Sequence, residues 1–405
     1  MAGQFLSPDG DLETSFVSDT AIIDQFAKTG SLWGWGRNAN GSIGDGTTTQ
    51  RSKPVQVAGI NWSSISSSPT YWNGSSSAIK TDGTLWVWGL GDDGRIGDGT
   101  IVSKSSPVQI TGTNWKQSAC GKLHTAAIKT DGTLWLWGRN ARNQLGTSNS
   151  TNYSSPVQTT SATNDWKMVA CGEYSTMAIK TDGTLWGWGF NTYGGIGMGE
   201  TNATLDKSTP TQVGSNTTWK QVALGAYHGG AVKTDGTLWM WGYNPSYYAA
   251  VGDGTGTDRF SPVQTAAGGT NWKQLSCGNN TSACIKTDGT LWTWGNGVYY
   301  GCLGDGASVV RNSPVQTISG GTNWRVVSCG NYHMAAIKTD GTLWTWGNNY
   351  YGDLGDGTIL AQYSGRSSPV QTAAGGTNWK QVACGQNGSL AIHFYDAGDL
   401  YPTSA

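Results

Sequence analysis

The stretch IKTDGTLWTWG, Ile337 to Gly347, decides the fold of this chain. An Asp-Gly pair between two apolar runs is a hairpin signal, because glycine accepts the positive φ of the turn and aspartate hydrogen-bonds the turn backbone. Side chains alternate along a strand, so Trp344 and Trp346 share one face and Leu343 lies on the other. The octet IKTDGTLW occurs at Ile79, Ile128, Ile179, Ile285 and Ile337, and with valine first at Val232. AKTGSLW from Ala27 is a degenerate copy that lacks the aspartate. The motif leucines Leu32, Leu85, Leu134, Leu185, Leu238, Leu291 and Leu343 stand 53, 49, 51, 53, 53 and 52 residues apart, a spacing typical of propeller blades.

Each unit reads as four strands. A buried strand such as WKQVACG (Trp379 to Gly385) precedes a second apolar strand such as MAAIK (Met334 to Lys338), then the hairpin and the tryptophan strand. A loop of the type LGDGT leads to SSPVQ, whose proline suits an edge strand. Seven such units, each with a tryptophan face that only a neighbour can bury, predict an all-β, seven-bladed β-propeller of four-stranded blades. The chain starts and stops inside a unit, so the closing blade is expected to be shared between the two chain ends. It would take two strands from Trp379 to Phe394 and two from Ser31 to Val57, which removes exposed sheet edges. The expected organisation is a leader over residues 1–26, the propeller over 27–395 and a tail over 396–405.

The 405 residues include 61 glycines and 22 tryptophans, suited to short strands, tight turns and large aromatic fillers. Charged residues make up 13% and the formal net charge is -1, which disfavours binding to nucleic acid. No apolar run is long enough to cross a bilayer, so membrane insertion is not expected, and the acidic amino terminus lacks the order of a secretory signal. Cys120, Cys171, Cys277, Cys329 and Cys384 share one register with Ser67 and Leu224, which points to packing rather than disulfides or a metal. His124, His228 and His333 share another register, read as buried side chains bonding a neighbouring loop, while His393, at a lysine position, is read as a surface residue. Asp45, Asp98, Asp253, Asp305 and Asp356 of the GDG loops are read as turn stabilisers, and the hairpin residues such as Lys338 and Asp340 as a solvated ring. No phosphate-binding loop, dinucleotide fingerprint or catalytic constellation is found, so neither a cofactor nor catalysis is expected.

The pattern CGNYHMAAIKTDGTLWTWGNNYYGDLGDGT, followed by SSPVQ and an NW strand, resembles the repeat of the regulator of chromosome condensation family over residues 27 to 394. The resemblance implies a propeller, and it implies no one function, since this family's propellers serve unrelated tasks. The family's exchange factors for small GTPases have a basic tail and an inserted hairpin not found here. Its plant ultraviolet-B photoreceptors carry a GWRHT motif, which is absent, so the tryptophans are read as packing. A similar bacterial inhibitor of β-lactamase binds its enzyme through aromatic residues on one end of the ring, a mode this chain could share. The segment FLSPDGDLETSFVSD resembles leaders of virion structural proteins from tailed phages.

Departures from the repeat supply the candidate binding residues. After the tryptophan strand, the last four units carry Tyr193, then Tyr247 and Tyr248, Tyr299 and Tyr300, and Tyr350 and Tyr351. The first three units instead offer Asn40, Asp93 and Asn143 with Arg37, Arg95, Arg139 and Arg142 nearby. If these loops share one side of the ring, an aromatic arc covers about four blades and a mildly basic arc the rest. Tyrosine suits protein or glycan contacts because it offers a large surface with a polar tip; packing beneath the loops is the competing reading. A longer connection between Ser67 and Ile79 adds PTYW, with Tyr71 and Trp72 as a contact spot or a local plug. The expected function is a non-enzymatic structural and recognition protein of a tailed-phage virion, docking through its leader on virion neighbours or a host surface receptor. A bacterial inhibitor or regulatory propeller, in the cytoplasm or at the cell surface, and a nucleotide exchange factor are the alternatives.

Overall fold

A computed structural model describes residues 30–69, 74–199 and 206–394. Over these residues the chain forms seven four-stranded antiparallel sheets arranged as a closed ring, the expected propeller. Six blades are consecutive in sequence, from Trp62–Gln109 to Trp324–Gln371. The seventh is ordered Arg51–Val57, Gly30–Gly36, Gly388–Phe394, Trp379–Cys384 from rim to axis, so both chain ends close the ring, as the half-units at the termini require. The seam is a full ladder running from Gly30 opposite Phe394 to Gly36 opposite Gly388.

Within a blade the strand opened by tryptophan is innermost, and the proline strand is the rim. The hairpin motif holds because each of its residues has a partner. Asp340 Oδ1 accepts from the Thr342 amide at 2.9 Å and the Thr342 hydroxyl at 2.7 Å, and Thr342 Oγ1 accepts from Trp344 Nε1 at 2.9 Å. The five other complete copies repeat this relay. In the degenerate copy Ser31 receives Trp33 Nε1 and donates to the His393 carbonyl, which replaces the missing aspartate.

The tryptophans join blades rather than fill a single core. The second tryptophan of each third strand is fully buried, and its Nε1 donates to a loop carbonyl of the preceding blade, as in Trp35 to Asp353 at 2.9 Å and Trp346 to Cys302 at 3.0 Å. Along the axis, glutamines seal four of the seams between inner strands. Gln274 Nε2 donates to the Val327 carbonyl at 2.9 Å while its Oε1 accepts from the Val327 amide at 2.8 Å, so one side chain pairs with a bare strand edge. Gln117, Gln221 and Gln381 do the same.

The cysteine register is buried packing, as expected, and all seven cysteines are free and buried. Burial pushes the Cys277 and Cys384 thiols up to about 12, which leaves them protonated and inert. The GDG aspartates stabilise their loops. Asp45 accepts from the Thr47 amide at 3.0 Å and pairs with Arg51 at 2.6 Å, and burial is outweighed by these contacts so that its carboxyl titrates low.

Three sequence expectations are corrected. The hairpin lysines are not simply solvated: Lys338 Nζ lies 5.0 Å from the Trp324 ring and 4.4 Å from that of Trp344, and five other blades repeat the clamp. Two flanking indoles attract a cation at this spacing more strongly than water-exposed turns suggest. His393 fills the lysine position of the closing blade, where it is half-buried and packs edge-on against Trp379 at 4.9 Å instead of standing at the surface. The register histidines are buried, yet their Nε2 atoms meet hydroxyls on the next blade's second strand rather than a loop: Thr176, Ser282 and Ser389 at 2.8, 2.9 and 2.8 Å.

Candidate functional site: an aromatic loop face

Antiparallel order sorts the connections between the two ends of the ring. The loops joining first to second strands and third to fourth strands lie at one end; the Asp-Gly hairpins and the connections between blades lie at the other. All described tyrosine loops therefore share one face, across four consecutive blades.

The densest part spans the blades that begin at Trp166 and Trp219. Phe190 and Tyr193, from a third-to-fourth loop, meet Tyr227 from the next blade's first-to-second loop at 6.2 and 5.8 Å. Tyr193 lies 4.5 Å from Tyr243, which continues through Tyr248 at 5.8 Å, and the Tyr243 and Tyr247 hydroxyls are 2.8 Å apart. Such edge and tilted contacts set ring orientations and contribute about 0.5–1.5 kcal/mol each. They border a cleft of about 510 Å³ that Arg139, Arg142, Asn279 and Asn280 also line.

Beneath the cleft, Glu173 ties three blades together. It is 3% exposed, pairs with Lys122 of the preceding blade, and accepts from Tyr227 of the following one at 3.1 Å. Burial first, and the Glu173 charge second, push the Tyr227 phenol up, so it stays a donor. Arg142 stacks over Phe190 at 5.2 Å and lies 3.7 Å from Asp206. Arg139 is half-buried at the cleft wall and has no ion pair among the described residues.

The arc continues around the ring. Tyr300 packs on Tyr332 at 5.3 Å, Tyr350 on Tyr351 at 4.7 Å, and Arg37 of the closing blade covers Tyr351 at 4.9 Å. Tyr193, Tyr247, Tyr299 and Tyr350 are exposed, whereas Tyr248, Tyr300 and Tyr351 are half-buried supports beneath them. Contact surface and packing thus divide within each pair. Tyr300 has φ 68, a left-handed conformation that Asp93 and Asn143 adopt more readily elsewhere in the chain. A bulky ring held there at a cost of about 1–3 kcal/mol marks a position where the side chain matters.

Some assignments change. Arg95 is not part of a basic surface arc: it is 3% exposed, with Nη1 donating to the Lys122 carbonyl at 2.7 Å and Nε to the Asp92 carbonyl at 2.9 Å. Tyr71 and Trp72, the leader and the tail lie outside the described residues. Tyr174, Phe190, Tyr227, Tyr243, Tyr332 and Glu173 escaped the sequence reading. A signal was present, because Tyr174, Tyr227 and Tyr332 each directly precede the histidine register, but that register looks like core and draws attention from its neighbour.

With this geometry in place, comparison with known proteins is informative. The profile described as Regulator of chromosome condensation (RCC1) repeat matches residues 29–70, 82–128, 131–179, 182–232, 288–337 and 340–392, and a second profile of the same description matches 272–302 among other segments. The chain is similar to the Ultraviolet-B receptor UVR8 of Arabidopsis thaliana, 31% identical over 332 residues, 78% of this chain and 72% of that one. It is also similar to the mitochondrial RCC1 domain-containing protein RUG3 of Arabidopsis thaliana, 30% identical over 358 residues, 80% of this chain and 79% of the other. Human WBSCR16 superposes with TM-score 0.75 at 22% identity, covering 90% of this chain and 98% of its own. Prp20p of Saccharomyces cerevisiae superposes with TM-score 0.79 at 17% identity, covering 93% and 97%.

Proposed function

The chain belongs to the regulator of chromosome condensation (RCC1) repeat family, and from that premise we propose that it is a noncatalytic recognition propeller that holds a protein partner on its aromatic loop face. The observation that carries this reading is the arc of tyrosines across four blades, backed by half-buried rings and by Glu173, with Arg139, unpaired among the described residues, at its cleft. An arc of that length exceeds the outline of a small ligand, and tyrosine and arginine are the side chains that dominate protein interfaces. Among structural relatives, Prp20p is described as binding Gsp1p and histones, and another yeast structure holds it with Kap60. A noncatalytic role is supported by the state of the polar groups here: Glu173 is spent on Lys122 and Tyr227, and the buried histidines bond hydroxyls inside the ring.

Tyr247 and Tyr299 are each 54% exposed, so alanine there removes contact surface with little loss of packing. The double variant Tyr247→Ala, Tyr299→Ala is expected to lower partner capture from an extract of the native source at least about tenfold, with an unchanged melting curve. Undiminished capture of the same proteins would move the interface elsewhere.

The setting we propose is the particle of a tailed phage, a reading supported by the leader's likeness to virion proteins. Particles purified by density gradient from the native source should carry the chain in constant ratio to the major capsid protein. Its recovery only in the soluble host fraction sinks this part and leaves the recognition face standing.

A further inference from the structure

The cleft of about 510 Å³ in the aromatic face has a wall rich in donors and without a carboxylate. Two guanidinium groups, Arg139 and Arg142, and two amides, Asn279 and Asn280, line it beside the tyrosine and phenylalanine rings. Around that wall, geometry sets most charges against an opposite one. Glu173, beneath the cleft, pairs with Lys122, Asp206 lies 3.7 Å from Arg142, and Asp93 lies 3.5 Å from Arg95. Asp258 accepts from the Asn244 amide at 2.7 Å and, like Asp92, is outside the wall. Arg139 is then the cation of the wall with no carboxylate at ion-pair distance among the described residues. It is half-buried, where water screens a charge less than at an open surface.

Uncharged donors add to the imbalance. Asn279 is 2% exposed, and its Nδ2 has no acceptor among the described residues. The Tyr174 and Tyr193 hydroxyls, both at the cleft, make no hydrogen bond there either. A buried donor without a partner is costly to keep, and an acceptor that arrives with a ligand removes the cost. The rest of the wall is flat and apolar: Tyr193 and Tyr243 lie 4.5 Å apart, and Arg142 is held over Phe190 at 5.2 Å. A cleft of this volume encloses a body of drug size, which is a few side chains rather than a folded surface.

We infer that the cleft takes an acidic anchor of the protein partner: one aspartate or glutamate whose carboxylate pairs with Arg139, beside an apolar side chain that packs on Tyr193 and Tyr243. This deepens the recognition reading above and rests on it. One unpaired guanidinium with neutral donors matches a single negative charge. A phosphate dianion would bring a second charge, and the other guanidinium of the wall already faces Asp206. Guanidinium and carboxylate meet in a planar two-bond geometry, so the pair fixes the direction of the partner segment as well as its charge.

A displayed library of random dodecapeptides, selected on the full chain, tests the anchor. The selected sequences should share one aspartate or glutamate next to a large apolar residue. In synthetic peptides, changing that acid to its amide should weaken binding at least about tenfold by titration calorimetry, as expected when one partner of a desolvated charge pair is lost. Arg139→Gln should weaken the acidic peptide by a similar factor and leave the amide peptide within about twofold, a coupling that a direct pair gives and a folding defect does not.

An empty selection, binders without an acidic residue, or equal losses for both peptides on Arg139→Gln overturn the anchor. Inorganic phosphate or N-acetylneuraminic acid held through Arg139 more tightly than any selected peptide overturns it as well. Peptides that need Tyr193 but bind Arg139→Gln unchanged sink the anchor and leave the recognition face standing. Acidic peptides held through Arg139, with partner capture undiminished in Tyr247→Ala, Tyr299→Ala, sink the wider face and leave the anchor.

Discussion

Lowering the pH from 7 to 5 should withdraw roughly 6 kcal/mol of stability through His124, His228 and His333 alone. Burial lowers the imidazole of His124 to about 3, and those of His228 and His333 to about 4 each, so all three are neutral in the folded ring. A depressed histidine leaves stability intact above its unfolded value near 6.5. Below that, the unfolded chain takes up protons the native state refuses, and the loss levels off only when the folded values are reached. At pH 5 each histidine accounts for about 2 kcal/mol by this linkage. Neutrality is built into the contacts: Thr176 and Ser282 donate to the Gln144 and Ala250 carbonyls, which leaves their oxygens to accept from His124 and His228 Nε2. One carboxyl opposes the trend. Asp353 is fully buried, and burial raises it well above the ordinary carboxylate range against the pull of the Tyr351 amide and Arg37, so it retains a proton in the folded state. It returns stability as pH falls, one proton against three. Chemical unfolding measured from pH 7.5 to 4.5 should show a falling limb that flattens by about a third in His333→Gln and steepens in Asp353→Asn. A pH-independent limb would mean that the histidines are reached by water.

Gly341→Ala is expected to cost about 3–5 kcal/mol, the larger of two glycine effects that sequence alone would rank equal. Gly341 has φ +81, and a Cβ there would overlap the Thr377 carbonyl oxygen of the next blade. The Trp379 amide also bonds the Gly341 carbonyl at 3.1 Å, so backbone relaxation would open the contact between the blade of Trp324–Gln371 and the closing blade. Gly375 has φ +59, and a methyl group added there would meet nothing within 4 Å, so Gly375→Ala carries only the left-handed backbone cost, about 1 kcal/mol. Denaturant midpoints of the two variants against the parent give the comparison. Equal losses would show that the hairpin does not dock on the neighbouring blade.

The fold was legible because its information is local and repeated. TDGTLW carries its own turn, alternation and side-chain relay within six residues, and six complete copies with one degenerate copy at a blade-length interval leave a ring as the arrangement that buries every tryptophan face. The half-units at Ser31 and Trp379 even named the seam. The exposed members of the tyrosine arc were legible for the opposite reason, since Tyr193, Tyr247, Tyr299 and Tyr350 break the repeat.

Contacts between blades were not legible, and they decide the chemistry. Lys122, Glu173 and Tyr227 lie in three successive units, about one repeat apart, and only closure of the ring brings them to one point. Arg95 and Arg37 both read as basic loop residues, yet one is sunk on backbone carbonyls and the other lies over Tyr351. Sequence alone determined the blade, its number and its closure, because backbone turns and burial patterns are set by near neighbours. Tertiary structure alone decided which faces and charges meet, because partners a whole repeat apart share no local signal and converge only when the ring is complete.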